Sequence, residues 1–146
     1  MQVNSSGTCM THLEWFRSVL HGKNVVLSHT SALECLGLFA GYVNENQIDL
    51  YAMEREPYAN INYNIVTGFD GIEMTEVGGL RCTTINQTIN DMLRDYDKID
   101  EQALVQALSD YYYSHNESFD GLKIKAQYLL RFNTFADWAV EYYNHE

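Results

Sequence analysis

Positive charge is scarce in this chain. Nine Lys and Arg stand against 20 Asp and Glu, for a formal net charge of −11 over 146 residues. The acid is evenly spread: 3 basic and 8 acidic residues up to Glu73 and 6 and 12 beyond it, or −5 and −6. A phosphate backbone is bound by clustered Lys and Arg that release its counterions. No window of this sequence holds such a cluster, which argues against direct nucleic-acid binding by this chain alone. Cysteine is also rare. Cys9, Cys35 and Cys82 are isolated, odd in number and form no CxxC pair. That pattern predicts free or buried thiols in a reducing compartment rather than a disulfide framework. No apolar run approaches a membrane span. The first residues, MQVNSSGTCMTHLEW, have neither a basic nor an apolar leader region. The expectation is a cytoplasmic protein with no membrane contact. Proline occurs once, at Pro57, so every helix pattern runs without an internal breaker.

What is present is globular. The chain is 46% hydrophobic and 20% charged, with eleven tyrosines, and its length suits one domain. Residues 1–24 read as a polar segment and a helix. Thr11 and Glu14 have capping-box spacing, Leu13, Phe16, Val19 and Leu20 share a face, and Gly22 stops the run. Residues 25–146 read as one α+β domain, with helix and strand mixed over 25–83 and helices over 84–146. Val25-Val26-Leu27 is a short extended run, and Ser31 and Glu34 suggest a second capping box. Period-two alternation over Ile48–Met53, Ile61–Ile65 and Ile72–Thr75 predicts strands, and Gly78-Gly79 a hairpin turn. Thr84 with Gln87, Asp100, Ser118 or Asp120, and Thr134 with Asp137 mark four further helix starts. The sum is an α+β fold: a small antiparallel β-meander with flanking N-terminal helices and a C-terminal helical bundle.

Few constellations promise chemistry. Ser28-His29-Thr30-Ser31 could be a nucleophile with its base, but neighbouring side chains rarely face each other and no orienting acid is identifiable. Hydroxyls that cap a helix explain the cluster more simply. Cys9 and His12 share a helix face, yet zinc needs four ligands and no second pair appears. Asp91, Asp95, Asp97, Asp100 and Glu101 form an acidic run that reads as a solvated face and a cap. The tyrosines at 111–113 and 142–143 lack basic neighbours, which weakens base stacking and leaves core edge or interface. Gly37 and Gly41 lack the spacing of a phosphate cradle. No catalytic, cofactor or metal residue is assigned.

Two ordered segments resemble a known family. Val25 to Leu38, VVLSHTSALECLGL, is similar to the SHxSAL…GL stretch of AbiEi-type antitoxins. Gly71 to Leu80 is similar to that family's strand-turn-strand, and Arg81 to Asp91 to its next helix start. The matching region is roughly 25–110, and Ser28, His29, Ser31, Ala32, Leu33, Gly37, Leu38, Thr88 and Asp91 carry it. Gln87 stands where the family usually has Arg, and only 24 residues precede Val25, so the likeness is to the part that does not bind DNA. The resemblance implies a non-enzymatic role in a bacterial toxin–antitoxin or abortive-infection system opposite a nucleotidyltransferase-like toxin. It implies that Ser28, His29, Ser31, Leu33, Gly37, Thr88 and Asp91 form a motif or interaction surface. Two alternatives stand beside it: an acidic decoy for a basic protein partner, and a small hydrolase or metal-dependent enzyme using Ser28, His29 and Asp91.

Overall fold

The computed structural model describes residues 11–40 and 47–142. Helix α1 (His12–Leu20) begins at a complete capping box: Thr11 Oγ1 accepts from the Glu14 N–H, and the Glu14 carboxylate accepts from the Thr11 N–H. Phe16 and Leu20 are its buried face. Strand β1 (Val25–Leu27), helix α2 (His29–Cys35), strands β2 (Ile48–Ala52), β3 (Ile61–Ile65), β4 (Met74–Val77) and β5 (Leu80–Thr83) follow. Helices α3 (Ile85–Arg94), α4 (Glu101–Ser114) and α5 (Leu129–Tyr142) complete the chain.

The α+β class is as expected, but the sheet is mixed rather than an antiparallel meander. Its five strands run in the order β3-β2-β1-β5-β4. The three-residue β1 lies at the centre, antiparallel to β2 and parallel to β5. Strand β3 lies parallel to β2, so the segment 53–60 crosses back instead of turning a hairpin. Parallel neighbours usually need a longer, helical connection. Here Lys23 holds the crossover down, through its ion pair with Glu56 and its ammonium over the Tyr58 ring. Alternation alone cannot tell parallel from antiparallel pairing, which is why the sequence pattern did not reveal it. The β4–β5 hairpin forms as read, with both Gly78 and Gly79 at positive φ.

The helical half also differs in one place. Residues 115–125 do not form the expected helix. The side chains of Asn86 and Asn90 on α3 take the backbone bonds of this segment: Asn90 donates to the Lys123 carbonyl and accepts from the Lys125 N–H, and Asn86 accepts from the Lys123 N–H. A short 3-10 turn at Ala126–Tyr128 then leads directly into α5. Thr134 and Asp137 lie inside that helix, where the Thr134 hydroxyl donates back to the Leu130 carbonyl.

Two apolar clusters result. One joins α1 to the sheet through Phe16, Leu20, Leu27, Ile48, Leu50 and Cys82. The other joins α3, α4 and α5 through Ile89, Met92, Leu93, Leu104, Leu108 and Phe135. Helix α2 belongs to both, giving Ala32 and Cys35 to the first and Leu33 to the second. Gly37 ends α2 in a Schellman motif: at φ 77 its N–H donates to the Glu34 carbonyl, and the Leu38 N–H donates to the Leu33 carbonyl. Leu33→Ala is expected to cost about 2–5 kcal/mol by opening a cavity where the two clusters meet. Leu130→Ala, at the most exposed large apolar side chain among the described residues, is expected to stay within about 0.5 kcal/mol. Chemical unfolding of the two variants checks the contrast.

Candidate functional site

The entrance of α2 is unusual. Ser28 is its N-cap residue, yet its side chain caps nothing. The reason is the next residue. His29 has φ 52, in the left-handed region that a non-glycine side chain adopts only under constraint, at about 1–3 kcal/mol. That turn folds the ring back so that His29 Nδ1 lies 2.6 Å from Ser28 Oγ, while Nε2 lies 2.8 Å from Asp95 Oδ2 at the end of α3. A carboxylate only accepts, so Nε2 carries the proton toward Asp95, and in the neutral ring Nδ1 accepts from the Ser28 hydroxyl.

From Asp95 the bonds continue. Arg94 donates to both Asp95 oxygens at 3.0 and 2.7 Å, to Asp91 at 3.3 Å and to the Tyr51 hydroxyl at 3.1 Å. Tyr51 donates to Asp91 at 2.8 Å, and Gln87 donates to the other Asp91 oxygen at 3.0 Å. The Gln87 carbonyl accepts from the Glu73 N–H. Arg94 therefore supplies the cation beside Asp91 that Gln87 lacks. The Arg94 hydrogen bonds first, and His29 after them, hold the Asp95 carboxyl down to about 2 against the opposing effect of burial. Burial, with the nearby Asp91 charge, pushes the Tyr51 phenol up to about 12.

Several expectations change here. Ser28 and His29 do face each other, because of the positive φ. Their orienting acid is Asp95, not Asp91, which lies one turn back on α3 and bonds Tyr51, Gln87 and Arg94. Ser31 is not a cap: it lies within α2, and its hydroxyl accepts from the Asp49 N–H at 2.8 Å. Leu33 is core, Gly37 is the helix stop, and Thr88 is buried with its hydroxyl on Thr83 and Thr84. The motif residues thus fall mostly inside the protein. The acidic run divides: Asp91 and Asp95 join the network, and Asp100 caps α4 by accepting from the N–H groups of Gln102 and Ala103. The tyrosines pack inward too, Tyr111 donating to the Asp120 carbonyl and Tyr113 to the Val140 carbonyl. Cys9, Gly41 and Tyr143 lie outside the described residues. Among the described residues, no three His, Cys, Asp or Glu side chains converge where an ion could sit.

In front of this network is a cleft of about 480 Å³, between the start of α2, the β2–β3 edge and the end of α3. His29, Asp49, Asn62, Asn64, Arg94 and Lys98 are among its lining residues; Ser28, fully buried, is not. The Asp49 carboxyl is pushed up by burial, an effect only partly offset by the Asn62 amide, the nearby His29 ring and the Thr30 N–H. Sequence reading missed Asp49, Tyr51, Arg94 and Asp95 as a group. They lie on β2 and α3, and only the positive φ at His29 brings the imidazole to them.

No protein-family model matches the chain, and no curated protein does. Among the described residues, no helix is long and apolar enough to cross a membrane.

The Asp95 contribution can be tested by acid. Its folded value lies below the ordinary 3.8. The stability it contributes is therefore present above that ordinary value and disappears as pH falls toward about 2. Asp95→Ala is expected to cost about 2–4 kcal/mol at pH 7, because His29 and Arg94 lose their acceptor. The gap between variant and parent should narrow in urea titrations carried down the acid limb. A gap that stays constant to low pH would remove the ion-pair account.

Proposed function

We propose that this chain is a non-enzymatic, antitoxin-like or regulatory domain of a bacterial toxin–antitoxin or abortive-infection system. It acts by presenting a binding surface to a basic protein partner, of which a nucleotidyltransferase-like toxin is the preferred candidate. One observation carries the reading: the Ser28 hydroxyl, which alone is bonded to the imidazole as a nucleophile would be, is shut away from the cleft. Both ring nitrogens of His29 are engaged, and the Ser28 hydroxyl is fully buried behind the ring, off the cleft wall. A nucleophile must reach its substrate, and Ser28 does not reach the cleft. The net charge of −11 favours a basic partner and excludes a phosphate backbone as the first choice. The ordered likeness of residues 25–110 to AbiEi-type antitoxins selects the biological setting among acidic binding proteins.

A hydrolase is the second reading, favoured by the Ser28–His29–Asp95 chain of hydrogen bonds. The two separate experimentally. A fluorophosphonate probe is expected to leave Ser28 unlabelled in the folded protein; stoichiometric labelling that Ser28→Ala abolishes makes it an enzyme. Co-expression with the product of the neighbouring gene should relieve that product's toxicity. A harmless neighbour, or one that stays toxic in the presence of this chain, ends the antitoxin reading. The captured partner should also release steeply as salt rises, since screening shortens the range of exposed charges to about 3 Å at 1 M.

A further inference from the structure

On its β2–β3 side the cleft wall presents a carboxylate flanked by two side-chain amides, while the cationic side chains Arg94 and Lys98 stand on the α3 side. The β2–β3 register sets Asp49 beside Asn62 and Tyr51 beside Asn64, and the two-residue period puts all four on one face. Each asparagine turns one amide N–H inward: Asn62 Nδ2 donates to the Asp49 carboxylate at 2.8 Å, and Asn64 Nδ2 to the Leu50 carbonyl at 3.2 Å. Neither acceptor could face an amide oxygen, so these orientations are chemically forced. The acceptors left for a ligand that donates are Asn62 Oδ1, Asn64 Oδ1 and the carboxylate of Asp49.

The remaining carboxylates of the cleft are already matched. Glu34 has His12, Asp95 has Arg94 and His29, and Asp100 has the first N–H groups of α4. Asp49 has only neutral donors. A half-dehydrated carboxylate without a cation is a standing cost that a bound cation would relieve. Arg94 cannot relieve it, being held by Asp91, Asp95 and Tyr51. At the α3 rim, Arg94 and Lys98 would repel a run of positive charges but not a single one placed against β2 and β3.

We infer that the cleft takes one arginine side chain of the basic partner, its guanidinium bonded to the Asp49 carboxylate and to the side-chain oxygens of Asn62 and Asn64. A planar fork of five donors matches acceptors arrayed along a strand pair better than a compact ammonium does. The volume of about 480 Å³ lies within the range of about 300–1,000 Å³ usual for sites that enclose a small group. This inference rests on the binding role proposed above and names the chemistry of that role.

The test needs no partner. N-acetyl-arginine N-methylamide is titrated into the ¹⁵N-labelled full chain, with the neutral citrulline analogue as control. The arginine probe is expected to move the side-chain amide resonances of Asn62 and Asn64 saturably, and the citrulline probe to leave them in place. Asp49→Asn keeps an acceptor for Asn62 and removes the buried charge. It should fold at least as stably as the parent and lose the arginine response at least tenfold. Silence from both asparagines, an equal response to citrulline, or an undiminished response in a folded Asp49→Asn protein overturns the inference. Capture of a partner that the arginine probe cannot displace also overturns it, while leaving the binding role intact. A saturable arginine response with no partner captured sinks the role and not the site.

Discussion

The structure depends on how the chain enters α2. This seven-residue helix touches both apolar clusters, so its position sets how the sheet half meets the helical half. A helix so short has little stability of its own and is held by what packs on it. Its first turn is secured from outside. The Asp49 carbonyl accepts from the Ser28 N–H, the Asp49 N–H donates to Ser31 Oγ, and the Asp95 carboxylate takes the His29 ring. Strand β2, the start of α2 and the end of α3 are thereby joined at one point. The left-handed backbone at His29 is the local cost of that junction. It persists because the ring is bonded at both nitrogens and 6% exposed.

The same junction explains why polar residues this dense need not be an active site. A buried polar network stabilises only when each member is satisfied, since the low dielectric that strengthens every bond also penalises every vacancy. From Ser28 through His29, Asp95, Arg94, Tyr51 and Asp91 to Gln87, each side chain has a partner. The depressed Asp95 and the elevated Tyr51 follow from that arrangement: one is a carboxylate stabilised by a guanidinium, the other a phenol with nowhere for its charge to go. Perturbed ionisation marks functional sites and structural ion networks alike. Ser28 is 0% exposed, which favours the structural network.

How far the sequence was legible varies with the range of the interaction. Local chemistry read true: the Thr11 and Asp100 caps and the Gly78-Gly79 hairpin each depend on residues a few positions apart. Non-local pairing did not. Nothing in Ile61–Ile65 distinguishes a strand parallel to β2 from one antiparallel to it. Nothing in Ser118–Lys125 announces that Asn86 and Asn90, some 35 residues back, would take its backbone bonds. Ser31 looked like a cap because hydroxyl-to-glutamate spacing is a local signal; the true entrance lay three residues earlier, set by contacts with β2 and α3. The candidate site failed for the same reason. His29 was visible, but its acid was sought at Asp91, and the ring reaches Asp95 only through a backbone turn that no propensity favours.

Asp49 is the residue this organisation leaves out of balance. Its backbone serves the α2 junction on both sides, so its place on β2 is structurally determined. Its side chain is then carried to the cleft wall by the strand's alternation, where the Asn62 amide donates one N–H to it. Folding alone gives no reason to keep a carboxylate there: an asparagine would accept the same bond from Asn62 without dehydrating a charge. Elsewhere in this acidic chain, charge that is drawn inward is paired, as at Glu34 and Asp95, and Asp100 is spent on a helix end. A half-buried carboxylate with no cation bonded to it is a group that a cation from another molecule would stabilise. The overall negative charge draws basic proteins toward the surface without selecting among them; the Asp49 wall is where a single guanidinium would make the choice specific.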